Sequence, residues 1–443
     1  MHRDLLTSNL REGRHDMTQG TRLPWHRKLL FYTVMLSSTW ILIEGISYLA
    51  TNLFIGFPSQ VVARRHSVAE QDPFRPGGKL VAPTVIHPYI GAVQQPSDNV
   101  GAPPDKFQIT DYGFFDDGPP IRKRARDKVI VGILGGSVAR QFSVEATEEL
   151  ARELSHSTEF AGKTFEFVRL AGNGYKQPQQ LMIMNYVFTL GAEFDILINL
   201  DGFNEAALPA MDNVPFGVFA AFPRDWGKMI ASTASPEFLR IGGYVSYLRQ
   251  QQRDEARFFE QIPFRYSATL LLWWAYRNQT AEKQISAHLL LMSQHAKGEQ
   301  TYSGSGPSDH FDSTDAMYNH CIAIWSRTSI LLNHLCAAKG IRYYHFLQPN
   351  QYVPGSKPMS AEEISLAIRE QSIICQSVRT CFPRMQALGP ELEAAGVAFT
   401  DLTGVFADHP EVIYRDDCCH VEIQGNSILA KAIARRISGT STR

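Results

Sequence analysis

The sequence lacks an excess of charge of either sign, and this absence excludes one class of function. Its 443 residues carry 43 Lys and Arg against 44 Asp and Glu, which gives a formal net charge of −1. Proteins that bind nucleic acid usually carry a basic excess, so nucleic acid is not an expected partner. With 32 glycines and 20% charged residues, the chain is neither collagen-like nor a coiled coil, and 44% apolar residues are typical of a globular protein.

Cysteine is also scarce, which excludes a disulfide-dense scaffold. An even number of cysteines still permits disulfides in an exported chain, and Cys375 and Cys381 are close enough in sequence to close a short loop. The run Cys418-Cys419-His420 lacks the C-x-x-C pairing of common zinc sites. We therefore expect neither a metal nor another cofactor. The six cysteines are Cys321, Cys336, Cys375, Cys381, Cys418 and Cys419.

Long apolar runs are absent except for one, at residues 29–49, which reads LLFYTVMLSSTWILIEGISYL. At about 1.5 Å per residue, its length matches a hydrocarbon core of roughly 30 Å. Its one charged residue, Glu44, is expected to reach the membrane interface, and pairing with another subunit is the alternative. We interpret the run as an uncleaved transmembrane anchor. A cleaved signal peptide and a buried core helix remain the alternatives.

The flanks of this run predict its orientation. No Lys or Arg follows it before Arg64, so the positive-inside rule keeps residues 1–28 in the cytoplasm. The rest of the chain is then extracytoplasmic, either periplasmic or at the cell surface. The basic residues before the run are Arg3, Arg11, Arg14, Arg22, Arg27 and Lys28.

The organisation changes at residue 129. Residues 50–128 are rich in Pro and Gly and predict an irregular stalk or a wrapping segment. Residues 129–443 then alternate short apolar strands with amphipathic helices, which is typical of a parallel sheet covered by helices on both faces. A helical insertion is predicted at about 206–338, where LLLWWAY at 270–276 is too short to span a membrane and is expected to pack in a core. The predicted strands are Val129–Leu134, Phe165–Leu170, Ile196–Leu200, Ile341–Leu347 and Val397–Thr400.

Ligands of open parallel sheets bind beyond the carboxyl ends of the strands, so those ends are the place to look for a site. The first strand ends in Gly135-Gly136-Ser137, which sets a serine at a helix N-terminus. A hydroxyl there suits a nucleophile, although serine is also a common helix cap.

The next two strand ends carry groups that can bind an oxyanion. Ala171-Gly172-Asn173-Gly174-Tyr175 follows the second strand, and a glycine N–H can point at an oxyanion without a side chain in the way. Asn204 lies three residues after Asp201, at the end of the third strand, and its amide is a second donor. An ordinary loop and an Asx turn are the plain structural alternatives.

Near the C-terminus, Asp417 and His420 lie three residues apart, so a carboxylate there can orient an imidazole that accepts a serine proton. Nucleophile, oxyanion donors, base and orienting acid thus follow one another along the chain. With these blocks, residues 129–204 and roughly 341–437 resemble the SGNH (GDSL-like) hydrolase superfamily. The resemblance does not reach the anchor, the stalk or the insertion.

The resemblance implies a three-layer α/β/α, flavodoxin-like fold and a role for each motif residue. Ser137 would be the nucleophile, His420 the base and Asp417 its partner. The oxyanion hole would comprise the N–H groups of Ser137 and Gly174 and the side chain of Asn204.

The chain departs from the family pattern at several positions. Its first block reads Gly-Gly-Ser where many members have Gly-Asp-Ser. Gly172 is an alternative to Gly174, and Asp416 adjoins Asp417. Gln348 and Asn350, at the end of the fourth strand, are expected to contact substrate.

These features together predict an extracytoplasmic serine ester hydrolase that deacylates a carbohydrate or lipid ester of the cell envelope. Two alternatives remain open. One is an O-acetyltransferase that acts on an envelope or exported polysaccharide with the same triad, and the other is a non-catalytic binding protein with the same fold.

Overall fold

The fold is defined by a computed structural model that describes residues 24–70, 84–96, 107–234, 236–298 and 302–439. The strands in these ranges are β1 Thr84–His87, β2 Gly91–Gln94, β3 Gln108–Ile109, β4 Phe115–Asp116, β5 Lys128–Gly135, β6 Thr164–Arg169, β7 Ile196–Asp201, β8 Arg342–Leu347 and β9 Ala398–Asp401. The helices are α1 Trp25–Phe54, α2 Pro58–Glu70, α3 Ser137–Glu145, α4 Thr147–Ser155, α5 Gln179–Thr189, α6 Phe203–Leu208, α7 Trp226–Ala234, α8 Pro236–Glu260, α9 Ala268–Gly298, α10 Tyr302–Ser305, α11 Thr314–Ala338, α12 Ala361–Ala367, α13 Ile373–Ala387, α14 Gly389–Ala394 and α15 Ile423–Ser438.

Five parallel strands form the main sheet, in the order β6-β5-β7-β8-β9. Numbered along the chain, this is the order 2-1-3-4-5 of doubly wound, flavodoxin-like sheets. Its central strands are apolar and buried along almost their whole length, because helices cover a parallel sheet on both faces. The crevice that such a strand order creates lies at the carboxyl ends of β5 and β7, where Ser137 and Asn204 follow.

The sequence predicted all five strands to within one residue at either end. Two short helices, α3 and α4, follow the first strand of the sheet. The chain turns into α3 directly at Ser137, and α3 and α4 meet at Ala146, whose φ of −129° interrupts the helical geometry. The nucleophile candidate therefore occupies the first helical position after the strand.

Contacts divide the chain into two compact units. The sheet unit comprises residues 71–251 and 282–443, and the small unit comprises residues up to 70 and 252–281. In the sheet unit, part of the predicted stalk wraps the core: Ile90, Val93 and Phe114 pack into the main hydrophobic cluster. Residues 71–83 and 97–106 of the predicted stalk lie outside the described residues.

The wrapping segment is also fixed by a buried ion pair. The Asp116 carboxylate at the end of β4 lies 2.8 Å from the Arg169 guanidinium at the end of β6. Burial raises the pKa of Asp116 to about 6, although the charge and hydrogen bonds of Arg169 oppose this rise. Residues 84–96 and 107–128 are therefore part of the folded body rather than a free stalk.

The small unit contains α1, which includes the whole apolar run. Among the described residues, it is the one helix long and apolar enough to cross a membrane, so it is compatible with a membrane anchor or a signal sequence. Residues 1–23, which hold four of the six basic residues used to predict orientation, lie outside the described residues. The predicted irregular structure after residue 50 is wrong for residues 58–70, which form α2.

Glu44 was expected to reach the membrane interface or to pair with another subunit. Its carboxylate is instead hydrogen-bonded within the chain. It accepts hydrogen bonds from the Ser267 hydroxyl at 2.7 Å and from the backbone N–H groups of Ala268 at 2.5 Å and Thr269 at 3.3 Å. These donors form the N-terminus of α9, where the helix dipole favours an anion. α1 is thus packed against residues 267–269 inside the small unit.

Where a helical insertion was predicted, between β7 and β8, the described residues form helices that include α7 to α11, and residues 252–281 of this stretch belong to the small unit. The run at 270–276 is only half buried. Trp274 lies in the core of the small unit, whereas Trp273 and Tyr276 are exposed.

The predicted loop closure by Cys375 and Cys381 is wrong, since all six cysteines are free. Both residues lie on α13, where six residues separate their Cα atoms by about 9 Å along the axis, beyond the reach of a disulfide.

Candidate active site

Two glycines place Ser137 at the carboxyl edge of the sheet. Gly135 has a φ of +136°, and a Cβ there would lie 2.1 Å from the Leu200 carbonyl oxygen of the neighbouring strand. A Cβ on Gly136 would lie 2.1 Å from the Asn204 side-chain nitrogen. Glycine is required at both positions because β5 turns into α3 in direct contact with the end of β7.

The long-range contact predicted from the sequence is present. His420, from the loop before α15, has its Nε2 atom 2.8 Å from the Ser137 hydroxyl oxygen. Its other ring nitrogen, Nδ1, lies 2.5 Å from a carboxylate oxygen of Asp416. A carboxylate on Nδ1 holds Nε2 as the acceptor of the serine proton.

Asp417 was predicted to be this orienting acid, and the geometry corrects the prediction to Asp416. The Oδ1 atom of Asp416 accepts the backbone N–H groups of Cys418, Cys419 and His420 at 3.0, 3.1 and 3.2 Å. The loop therefore curls around the Asp416 carboxylate and returns His420 to it. Asp417 is half exposed, and its carboxylate lies 3.7 Å from Arg369.

The charge of Asp416 is stabilised in this position. Partial burial opposes its ionisation, but the hydrogen bond and charge of His420 and the backbone N–H donors outweigh burial and lower the pKa of Asp416 to about 2. The carboxylate is consequently ionised throughout the physiological pH range.

Three consecutive residues after β8 clamp the loop that carries the acid and the base. Asn350 donates to the carbonyl oxygen of Cys418 at 3.1 Å, Gln351 to that of Asp416 at 3.0 Å, and the Tyr352 hydroxyl to that of Asp417 at 2.9 Å. Asn350 is fully buried, so its predicted contact with substrate is replaced by a role in loop positioning.

Gln348, the other predicted substrate contact, is also buried. Its side chain hydrogen-bonds to the thiol of Cys419, within the loop that carries His420. Its position therefore does not support the predicted contact either.

The buried carboxylate of Glu363 holds the segment of chain that leads into the same loop. Glu363 accepts the backbone N–H groups of Ile413 and Tyr414, each at 2.9 Å, and lies 2.6 Å from the ammonium of Lys357. Both side chains of this ion pair are inaccessible to solvent. Because breaking a buried pair leaves an uncompensated charge, Glu363 and Lys357 hold the segment before Asp416 firmly.

The candidate oxyanion donors differ in whether their hydrogen atoms are already engaged. Asn204 uses its side-chain nitrogen to donate to the Tyr175 carbonyl at 2.7 Å, which leaves its second hydrogen available. The N–H of Gly172 is occupied by the Gly135 carbonyl at 3.2 Å. The N–H of Gly174 has no acceptor among the described residues, so the geometry favours Gly174 over Gly172 as a donor.

Glu205 links the loop after β6 to the end of β7, and the sequence interpretation missed it. Its carboxyl group accepts the N–H of Gln177 at 2.8 Å and that of Gly202 at 2.9 Å. Burial raises the pKa of Glu205 to about 8, and the nearby charge of Asp201 adds to the rise. The spacing of three residues from Gly202 to Glu205 is that of a capping box, which was the available signal.

Lys176 fastens the insertion to the loop that carries Gly174. Its buried ammonium donates to the carbonyl oxygens of Ala220 and Phe222, both at 2.6 Å. Burial lowers the pKa of Lys176 to about 8, although nearby acidic groups oppose the fall.

A second Ser-His-Asp arrangement lies within the core. The Ser329 hydroxyl is 2.7 Å from Nδ1 of His345, and Nε2 of His345 is 2.8 Å from the Asp201 carboxylate. Burial opposes ionisation of Asp201, but His345 and other donors lower its pKa. All three residues are buried, so no substrate reaches Ser329 and the arrangement stabilises the end of β7.

Cys418, Cys419 and His420 are the described residues best grouped to hold a metal ion, with potential ligand atoms within 4.8 Å of one another. Both ring nitrogens of His420 are already engaged, by Asp416 and Ser137. A metal on the imidazole would therefore displace one member of the triad arrangement.

A cavity of about 130 Å³ is lined by Gly174 on one side and by Pro223, Arg224 and Asp225 of the predicted insertion on the other. Arg224 contributes to its wall, and its Cδ atom lies 2.7 Å from where a Cβ on Gly174 would be. No protein-family model matches the chain, and no curated protein matches it.

Proposed function

We propose that the protein is a membrane-anchored serine ester hydrolase of the SGNH (GDSL-like) type, which deacylates a carbohydrate or lipid ester outside the cytoplasm. One observation carries the proposal. Ser137, His420 and Asp416 are joined by hydrogen bonds of 2.8 and 2.5 Å at the carboxyl edge of a parallel sheet.

The arrangement supplies each group that acyl transfer needs. Ser137 attacks the ester carbonyl while Nε2 of His420 takes its proton, and Asp416 stabilises the resulting imidazolium. The N–H groups of Ser137 and Gly174 and the Asn204 amide stabilise the tetrahedral oxyanion. His420 then protonates the departing alcohol, and a water molecule activated by the same imidazole hydrolyses the acyl-enzyme.

The proposed location rests on α1 and its flanks. α1 is long enough to cross a bilayer, and the basic residues that precede its apolar run at 29–49 predict a cytoplasmic N-terminus. Its packing against Ser267 through Glu44 favours an uncleaved anchor, because cleavage after the apolar run would remove a partner from the folded small unit.

The test uses the full-length protein in detergent with a short-chain aryl ester and a fluorophosphonate probe. Ser137→Ala should abolish both turnover and labelling while the thermal unfolding temperature changes little. Ser329→Ala, in the buried arrangement, is the matched control and should leave labelling intact. Undiminished turnover by Ser137→Ala would overturn the proposal.

A further inference from the structure

The turn between α8 and α9 presents large apolar side chains to the exterior of the small unit. Ile262 is 72% exposed, Tyr266 73%, Trp273 51% and Tyr276 64%. We call residues 261–276 the hairpin tip. In its sixteen residues, QIPFRYSATLLLWWAY, Arg265 is the only charged side chain. Such a cluster marks an interaction surface rather than a surface that faces water.

The position of the hairpin tip along α1 identifies what covers it. The Ser267 hydroxyl and the N–H groups of Ala268 and Thr269 bind Glu44, and the Thr269 hydroxyl lies 3.0 Å from that of Ser47. Glu44 lies five residues before the end of the apolar run, about 7 Å along the helix axis. If α1 spans the membrane, residues 267–269 lie at the same depth, inside the hydrocarbon region.

We propose that the hairpin tip is inserted in the lipid bilayer beside α1, as a second membrane contact that enters one leaflet without crossing it. This inference rests on the proposed membrane anchor and does not depend on the proposed catalytic activity. Tyr266, Trp273 and Tyr276 are residue types enriched where a membrane meets water.

The backbone N–H groups of residues 265–271, within the hairpin tip, meet one requirement of a lipid environment. Polar backbone groups in hydrocarbon must be satisfied internally, because water is absent there. Every N–H from Arg265 to Leu271 has an acceptor in the small unit. The acceptors are the carbonyl oxygens of Gln261, Pro263, Phe264 and Ser267, the Ser267 hydroxyl and the Glu44 carboxylate.

The contact between Glu44 and residues 267–269 explains why the apolar run contains a carboxylate. An isolated charge at this depth is expensive, whereas Glu44 accepts three hydrogen bonds at the positive end of α9. The one charged side chain of the hairpin tip, Arg265, is exposed, and its guanidinium lies 5.0 Å from the centre of the Tyr266 ring. A side chain of that length can reach the headgroups while its stem stays in the apolar layer.

Nitroxide accessibility in vesicles tests the inference with the full-length protein. Single spin labels are placed through Ile262→Cys and Tyr266→Cys, and the protein is reconstituted in phosphatidylcholine and phosphatidylglycerol. Leu36→Cys reports on the middle of α1, and Ile364→Cys, at an exposed position of the sheet unit, reports on water. The signal from labels on the native cysteines is measured with the parent protein and subtracted.

Labels at 262 and 266 should collide several-fold more often with oxygen than with a water-soluble nickel chelate, as the label at 36 does. Free access of nickel to 262 and 266, with 36 still protected, would overturn the inference and leave the anchor intact. Protection of 262 and 266 from both reagents would also overturn it, since a protein surface would then cover the hairpin tip. Free access of nickel to 36 would refute the anchor itself.

Discussion

Asp416 and His420 are joined twice, once through the ring and once through the backbone. The Nδ1 atom of His420 lies 2.5 Å from one carboxylate oxygen of Asp416, and its backbone N–H donates to the other oxygen at 3.2 Å. The acid therefore fixes both the tautomer of the imidazole and the path of the chain that carries it. This double role separates Asp416 from its neighbour Asp417.

Asp416→Asn is expected to reduce kcat by about 10⁴, the loss seen when asparagine replaces the acid of a serine protease triad. Its oxygen can still accept the loop N–H groups, but its NH₂ group then faces Nδ1 and leaves Nε2 protonated. Asp417→Asn is the matched control and should change kcat less than a few-fold. Steady-state turnover of an aryl ester measures both, and equal losses in the two variants would contradict the assignment.

The sequence predicted the elements of the sheet and the partners of the long-range contact but not the choice between adjacent aspartates. Strand positions follow from short apolar runs, which a buried parallel sheet requires. The identity of the acid depends on how five residues curl around one carboxylate, and residue spacing carries little information about that path. The pattern Asp-x-x-His was therefore a reasonable expectation with the wrong acid.

Burial explains two other differences between the predictions from the sequence and the structure. Asn350 follows a strand end, where substrate contacts are common. In the structure it is buried beneath the loop with His420 and donates a hydrogen bond to the Cys418 carbonyl oxygen of that loop. The run at 270–276 was expected in a core because it is too short to span a membrane, yet Trp273 and Tyr276 are exposed. The contact of Ser267 with Glu44 was not foreseen, since 223 residues separate the two in sequence.

Gly174→Ala is expected to reduce kcat by about 10²-fold, the loss typical of removing one oxyanion donor. Gly174 has a φ of +76°, and its new Cβ would meet the Arg224 side chain, so the loop must move to relieve the strain. Gly162→Ala is the control, because φ is +74° there and no atom lies within 4 Å. Both variants should lose about 1 kcal/mol of stability, but the Gly162 variant should keep its kcat; equal kcat in the two would argue against Gly174.

Glu205→Gln should change how stability depends on pH. Because the native pKa of Glu205 is raised from 4.5 to about 8, the folded state keeps a proton that the unfolded state loses between these values. Its contribution to stability is therefore complete below pH 4.5 and is lost as the pH rises through 8.

The wild-type advantage over Glu205→Gln should accordingly shrink between pH 5 and 8, as measured by thermal unfolding of the full chain in detergent. At pH 5 the variant should be less stable by about 1–3 kcal/mol, because glutamine offers one acceptor oxygen to two buried N–H groups. If the difference in stability between the wild type and Glu205→Gln widened with rising pH, Glu205 would be ionised in the folded state.

Glu44→Ala is expected to release the start of α9 from α1. The amides of Ala268 and Thr269 lose their acceptor, and a loss of about 1–3 kcal/mol corresponds to roughly 5- to 150-fold faster hydrogen exchange. Ser38→Ala, on an exposed part of α1, is the control and should leave these amides unchanged. Exchange at 268 and 269 in detergent micelles, followed by mass spectrometry, measures the effect. Unaltered exchange in Glu44→Ala would mean that the carboxylate does not hold the helix, and the depth assigned to the hairpin tip would lose its main support.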